Sequence, residues 1–230
     1  MLNLMPVADW AALIVFLAAW AFYRPLAGMI GGQHAINANM VFIRRHWMAM
    51  MVRRENRFMD ANLLGHALNT ASFFASTNLL IIAAVIGALF GGEQVWDAVT
   101  SFSILARTSH LLFDIKLAMV IFALARGLLD FIWGIRQINY LLAVIGAAPP
   151  VQEHAEYSNA AAALLDPAMA SINSGVRGYY FALAAATWLL SPYSCIAATA
   201  GAVLLLLNRQ LNSKAATAVS RIRKVLDERG

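Results

Sequence analysis

The sequence predicts an all-α, polytopic helical membrane protein, and three observations predict that class. Of the 230 residues, 61% are hydrophobic and 13% are charged, whereas a soluble domain carries about 25% charged residues. Mean hydropathy is +0.65. Four stretches approach the roughly 20 apolar residues that a helix needs to cross a bilayer. They lack the alternating pattern of a membrane β-barrel, so backbone in lipid must be helical.

The same composition excludes several other classes of protein. One cysteine excludes a disulfide scaffold, and 14 glycines with 6 prolines exclude a collagen-like chain. The high apolar content excludes intrinsic disorder. Basic charge beside a membrane explains the net charge of +5 better than a nucleic-acid partner does.

We expect a single helical membrane domain, 1–230, with about four spans. An amphipathic connecting helix and a C-terminal helix complete the prediction, and residues 151–173 add a short helix outside the membrane. The spans are predicted at about 7–23, 66–90, 111–133 (extending at most to 145) and 179–207. No Lys or Arg precedes the first span, so we expect a retained anchor rather than a signal peptide.

Basic residues form two clusters outside the predicted spans. The connecting segment, residues 35–60, carries the basic membrane-proximal cluster: Arg44, Arg45, Arg53, Arg54 and Arg57. These arginines scatter around the helix axis, so we expect the segment to pack on protein, its arginines pairing or reaching phosphates.

The tail, residues 208–230, predicts a basic amphipathic helix that docks on its own protein or on a second copy. Its apolar positions follow helical spacing: Leu211, Ala215, Ala218, Ile222 and Val225. Its basic residues are Arg209, Lys214, Arg221, Arg223, Lys224 and Arg229.

The positions of the two clusters conflict with the predicted spans. The positive-inside rule places both clusters in the cytoplasm, yet three crossings separate them. A re-entrant hairpin turning at Pro192 would resolve the conflict. The alternative is a single long helix that is kinked at Pro192 and whose end projects into water. This helix would not resolve the conflict, but the sequence favours it.

Charged residues crowd the third span. Asp114, Lys116, Arg126, Asp130 and Arg136 lie within 23 residues, about 33 Å of helix. At least one or two must lie at membrane depth, where a charge costs about 2.5 to 3.5 kcal/mol. One interpretation is a polar path or binding site. The other, which we favour, is an internal Arg126–Asp130 pair with snorkelling ends.

The second span offers a packing surface. Small and polar residues form one stripe along it, and such stripes favour close helix packing over pore lining. The stripe comprises Gly65, Asn69, Ser72, Ser76, Ala83 and Gly87.

Motifs of catalysis and cofactor binding are absent from the sequence. It contains no H-E-x-x-H, C-x-x-C, G-x-S-x-G or P-loop. His66 and His110 begin consecutive antiparallel spans and so cannot share a haem iron. We therefore expect no enzyme activity, no cofactor, no metal and no nucleic-acid partner.

Three blocks of the sequence, in order, resemble the family called domain of unknown function 599, over about residues 5–215. The first comprises residues 39–47 with Arg44-Arg45, then Asn62-Leu63, Leu68-Asn69 and Ala75-Ser76-Thr77. The second comprises residues 113–116, then Phe131, Arg136, Asn139-Tyr140 and Ile145-Gly146. The third comprises Asn173, residues 175–181, Trp188, Arg209 and Ser213.

The resemblance implies a four-span membrane protein of bacteria or plants, with no established activity and no catalytic residue to transfer. It directs attention to polar residues at or near membrane depth. We predict an intramembrane polar network of Asn69, Asp114, Lys116, Arg126, Asp130, Arg136, Asn139 and Arg177.

Two functional hypotheses follow. The first is a homo-oligomeric channel or transporter-like protein for a small ion, with charged residues of the third span lining a polar path. The second is a non-enzymatic accessory or assembly subunit that packs on a larger membrane complex. In both, the partners are the lipid bilayer and further copies or other membrane subunits, and we expect the bacterial cytoplasmic (inner) membrane.

Overall fold

All regular structure in the part of the chain that the computed structural model describes, residues 5–32, 35–92, 95–96, 109–149 and 155–228, is helical. The helices are α1 (Val7–Gly31), α2 (Ile36–Val52), α3 (Phe58–Leu89), α4 (His110–Ala147), α5 (Ala155–Ala186), α6 (Pro192–Leu211) and α7 (Lys214–Asp227). A 3₁₀ turn, Thr187–Leu189, follows α5. The predicted all-α class is confirmed, and Arg229 of the tail lies outside the described residues.

Among the described residues, three helical stretches are long and apolar enough to cross a membrane. They are Val7–Gly31, Phe58–Leu89 and Pro192–Asp227, of which the last comprises α6 and α7. Helix α4 is longer, at 38 residues, or about 57 Å, and carries the five charged residues of the third predicted span. The polytopic character that composition predicted is therefore confirmed.

The chain divides into two compact units, with boundaries inside the long helices. Unit 1 comprises Met1–Arg24, Ser76–Leu129 and Gly175–Leu205. Unit 2 comprises Pro25–Ala75, Asp130–Ser174 and Leu206–Gly230, and it contains both basic clusters.

Glycines allow α4 and α5 to pack closely within each unit. In unit 1, a Cβ atom on Gly178 would lie 3.1 Å from Cα of Gly127. In unit 2, a Cβ on Gly134 would lie 3.0 Å from the carbonyl oxygen of Ala168. Small residues at such crossings let backbones approach, which is the main source of helix association where lipid surrounds the protein.

The predicted fourth span, residues 179–207, is not one kinked helix. Helix α5 ends at Ala186, and α6 begins at Pro192, because Ser191 and Ser194 form a reciprocal cap. The Ser194 N–H donates to Oγ of Ser191 at 3.0 Å, and the Ser191 N–H donates to Oγ of Ser194 at 3.1 Å. Proline fits the first helical position after such a cap because it needs no N–H partner there.

Helix α5 also corrects the prediction of a short external helix over residues 151–173. It runs without interruption from Ala155 to Ala186 and contains Pro167. The alanine-rich segment and the start of the predicted fourth span are thus one 32-residue helix, and the described chain has an extra long helix there.

The tail packs against the connecting segment within unit 2. Helix α7 contacts α2, where the Arg223 guanidinium donates to Oδ1 of Asn39 at 2.9 Å and lies 5.3 Å from the centroid of the Phe42 ring. The connecting segment and the tail, which carry the two basic clusters, therefore contact each other. Three crossings between the two clusters would not allow this contact, whereas an even number, with α5 and α6 as separate helices, would.

We predict that α1, α3, α4, α5 and α6 all cross the membrane. Asn56→Cys and Asp227→Cys should then both be protected from an impermeant maleimide in intact cells, whereas Tyr193→Cys, whose native side chain is 73% exposed, should be labelled. All three should react after permeabilisation. Opposite labelling of positions 56 and 227 would contradict this topology and restore the four-span arrangement.

Candidate functional site

The most deeply buried charges among the described residues of unit 1 form an ion pair between α1 and α4. Asp9 is 5% exposed and Lys116 is 3% exposed. Asp9 lies on the buried face of α1 with Ala12, Phe16 and Tyr23, and these positions recur at the helical spacing of three, four and seven residues. The α1 register therefore directs its one buried acid into the unit.

The geometry of this pair involves a third residue, Trp188 of the 3₁₀ turn. Oδ1 of Asp9 accepts a hydrogen bond from Nε1 of Trp188 at 2.8 Å and lies 3.5 Å from Nζ of Lys116. The ammonium group lies 5.8 Å from the centroid of the Trp188 ring, which is fully buried. We refer to Asp9, Lys116 and Trp188 as the charge-pair site.

Pairing is what makes these buried charges tolerable. Transfer of one charge from water into protein costs several kcal/mol, and breaking a buried pair by removing one partner typically costs about 3 to 5 kcal/mol. A cation over an indole ring gains a further 0.5 to 2 kcal/mol, roughly.

The free Cys195 of α6 is also buried in this unit. Within the described ranges, no three His, Cys, Asp or Glu side chains come together as metal ligands.

The predicted intramembrane network does not form one buried cluster. Of its eight residues, Lys116 alone is buried. Asp114 is half-buried and lies 3.1 Å from Nδ1 of His110. Arg177 is half-buried with its guanidinium 5.6 Å from the centroid of the Tyr23 ring.

The other five members of the predicted network are not buried. Asp130 is half-buried, and the exposed members are Asn69, Arg126, Arg136 and Asn139. Arg126 and Asp130 each interact with further groups. Helical periodicity explains the scatter, because these α4 residues differ in angular position around one axis.

Sequence reasoning missed Asp9, Trp188 and Asn78. Asp9 is the sole charged residue in the first predicted span, a signal that could have found it. Asn78 is 1% exposed, and its Nδ2 donates to the carbonyl oxygen of Leu124 at 3.0 Å. The sequence also shows an asparagine at this position within an apolar run, but it was assigned to no site.

The basic membrane-proximal cluster is largely engaged within unit 2. Nε of Arg44 donates to Oδ1 of Asp166 at 2.6 Å. Arg57 donates to the carbonyl oxygens of Ala148 and Pro149 at 2.8 and 2.6 Å. Pairing thus explains much of the cluster.

The remaining arginines differ in exposure. Arg54 pairs with Asp60, which is fully buried. The Arg45 side chain is 68% exposed and lies 3.8 Å from Asp166, and Arg53 is exposed. Among the arginines of this cluster, Arg45 and Arg53 are therefore the most accessible to an external anion.

The predicted packing stripe on α3 does not meet another described helix. Asn69, Ser76, Ala83 and Gly87 are exposed, while Gly65 and Ser72 are half-buried. Cβ atoms on Gly65 and Gly87 would have no heavy atom within 4 Å. The buried face of α3 instead contains Leu64, Ala71, Asn78 and Ile82.

Comparison with known protein families agrees with the resemblance in the sequence. Residues 11–215 match the family described as "Protein of unknown function, DUF599". The chain belongs to the DUF599 family. No curated protein and no solved structure matches it. The DUF599 match includes Lys116 and Trp188, whereas Asp9 and most of α7 lie outside it.

We predict that the Asp60 carboxylate stabilises unit 2. It accepts a hydrogen bond from Nε1 of Trp47 at 2.7 Å and pairs with Arg54. Asp60→Asn should lower the free energy of unfolding by about 1 to 3 kcal/mol, because Arg54 loses its counter-charge. Thermal unfolding in detergent checks this, with the exposed neighbour Glu55→Gln as control. Equal midpoints for the two variants would contradict it.

Proposed function

We propose that this protein transports a small anion and that the charge-pair site controls its passage. The main support for this proposal is the Asp9–Lys116 pair. Its two charges come from separate helices, and both residues are at least 95% buried in an apolar unit. Ionisable residues buried in membrane proteins are costly and commonly mark ion pathways. Of the charged α4 residues that were predicted to line a polar path, this proposal retains Lys116 as the one that binds the ion.

The chemistry of the site suggests how an anion could pass. An anion that approaches Lys116 competes with Asp9 for the ammonium group, so that binding and opening of the pair are linked. Trp188 holds Oδ1 of Asp9 through its Nε1 donor, which keeps the carboxylate in place when the ammonium changes partner. Exposed Arg45 and Arg53 would raise the local anion concentration at the unit 2 surface.

Flux through proteoliposomes tests this proposal. Lys116→Met should reduce anion flux at least tenfold, because the variant loses the binding charge, and Lys116→Arg should retain part of it. Lys224→Met removes the same chemical group from an exposed position and serves as the matched control. Thermal unfolding of every variant identifies a loss that arises from misfolding.

Two results would overturn the proposal. One is wild-type flux no greater than that of protein-free liposomes for the common small anions. The other is a folded Lys116→Met protein with full flux. Asp9→Asn provides an independent readout, since a freed ammonium should bind the anion more tightly and lower the concentration at half-maximal flux.

A second candidate function is that of an accessory subunit in a larger membrane complex. The exposed small-residue stripe on α3 supports it, because Gly65 and Gly87 leave open space for a neighbouring helix. A second copy of this chain would use the same stripe, which fits a homo-oligomeric transporter equally well.

Purification in gentle detergent distinguishes these arrangements. A symmetric oligomer of this chain alone supports the transporter, whereas stoichiometric unrelated subunits support the accessory role. In either case, Ala83→Leu should dissociate the assembly, and Ala84→Leu, which is also exposed but lies 100° around the helix, should leave it intact. A monomer that is indifferent to both substitutions would contradict any packing role of the stripe.

A further inference from the structure

Helix α7 is held in a fixed orientation on α2. Its N-terminus is capped by Ser213, whose Oγ accepts a hydrogen bond from the Ala216 N–H at 3.1 Å. Ala216 is 3% exposed, and Arg223 binds Asn39 at 2.9 Å. These contacts determine which side of α7 faces the protein and which side faces outward.

The outward side is the apolar stripe that the sequence predicted as the docking face. Ala215, Ala218, Ile222 and Val225 are all exposed, with Ile222 at 51% and Val225 at 48%. Within this chain, α7 docks on α2, but not through this stripe, because Ala216 and Arg223 lie on another side of the helix and form the contact. Docking of the stripe on a second copy stays a prediction.

Basic residues flank this outward stripe. On a helical projection, Lys214 and Arg221 lie next to Val225 and Ala218, at one edge of the stripe, and both are exposed. An apolar stripe edged by cations is the composition of helices that lie in the interface of an anionic bilayer. Each basic residue near such a surface contributes roughly 1 kcal/mol.

The position of α7 along the chain favours lipid over other occupants. Helix α6 ends at Leu211, and only Asn212 and Ser213 precede α7. The apolar run of α6 ends at Leu207, before the polar residues Asn208, Arg209 and Gln210. In a chain whose α6 crosses the membrane, α7 therefore begins within a few residues of the point where the chain leaves the bilayer. Its stripe is therefore adjacent to lipid headgroups without any long linker.

We propose that the outward face of α7 binds the surface of an anionic bilayer. Ile222 and Val225 insert at the boundary of headgroups and acyl chains, while Lys214 and Arg221 contact lipid phosphates. Asn39 and Arg223 hold the helix to α2 from the other side. This surface is independent of the charge-pair site, so its failure and that of the transport proposal are separable.

Nitroxide labels in reconstituted protein test the proposal. Val225→Cys and Ile222→Cys labels are compared with a Thr217→Cys label, whose site is exposed on a polar side of α7. The native Cys195 is buried and is replaced by alanine, or left in place if the replacement unfolds the protein. Vesicles contain phosphatidylcholine alone or mixed with phosphatidylglycerol.

In vesicles with phosphatidylglycerol, labels at 222 and 225 should collide more with oxygen than with a water-soluble nickel complex, and the label at 217 should show the reverse. Lys214→Gln and Arg221→Gln should each lower the ratio of surface-bound to free helix about fivefold. Water-accessible labels at 222 and 225 in both vesicles would overturn the proposal. Protection that depends on protein density rather than on lipid charge would also overturn it and indicate a second copy.

Discussion

The cost of burying charge in a chain with little polar surface governs where this structure places its polar residues. Water solvates few of the buried groups in such a protein, so a buried charge needs a counter-charge or a hydrogen-bond partner in the chain itself. Asp9 and Lys116 satisfy each other in unit 1, and Arg44 with Asp166 does so in unit 2. Pairs that join distant segments of the sequence therefore contribute to specifying the fold of each unit.

The path of the chain depends on a local device, the reciprocal Ser191–Ser194 cap. Without it, the apolar run from Tyr179 to Leu207 would favour one continuous helix, since hydropathy alone opposes no helical path through it. The cap ends one helix and begins another, and Trp188 in the intervening turn reaches Asp9. The turn that separates α5 and α6 thus also supplies the third member of the charge-pair site.

Composition and the length of the apolar stretches predict the all-α membrane class because both indicate that lipid surrounds the chain. Lipid restricts the backbone of such a chain to helices. They predict the number of spans poorly, because Pro192 inside an apolar run is compatible with a kink, a hairpin or a new helix. The serine cap begins a new helix at Pro192 and excludes one continuous kinked helix. Its signal is weaker in sequence than the usual serine with glutamate. The DUF599 resemblance was confirmed over residues 11–215, but a family of unknown function offered no site residues to test.

Of the predicted network, Lys116 is the buried member, because exposure depends on the angular position of a residue around its helix. Its partner Asp9 lies over 100 residues away in the sequence, and no local pattern links them. The two members of the pair differ in their contacts with Trp188. Trp188 can hold the Asp9 carboxylate after the ion pair opens, whereas Lys116 would keep only the ring of Trp188. A cation–π contact is too weak to replace a buried counter-charge. In the transport that we propose, the ammonium group is therefore the member that needs a new partner, and its positive charge favours an anion.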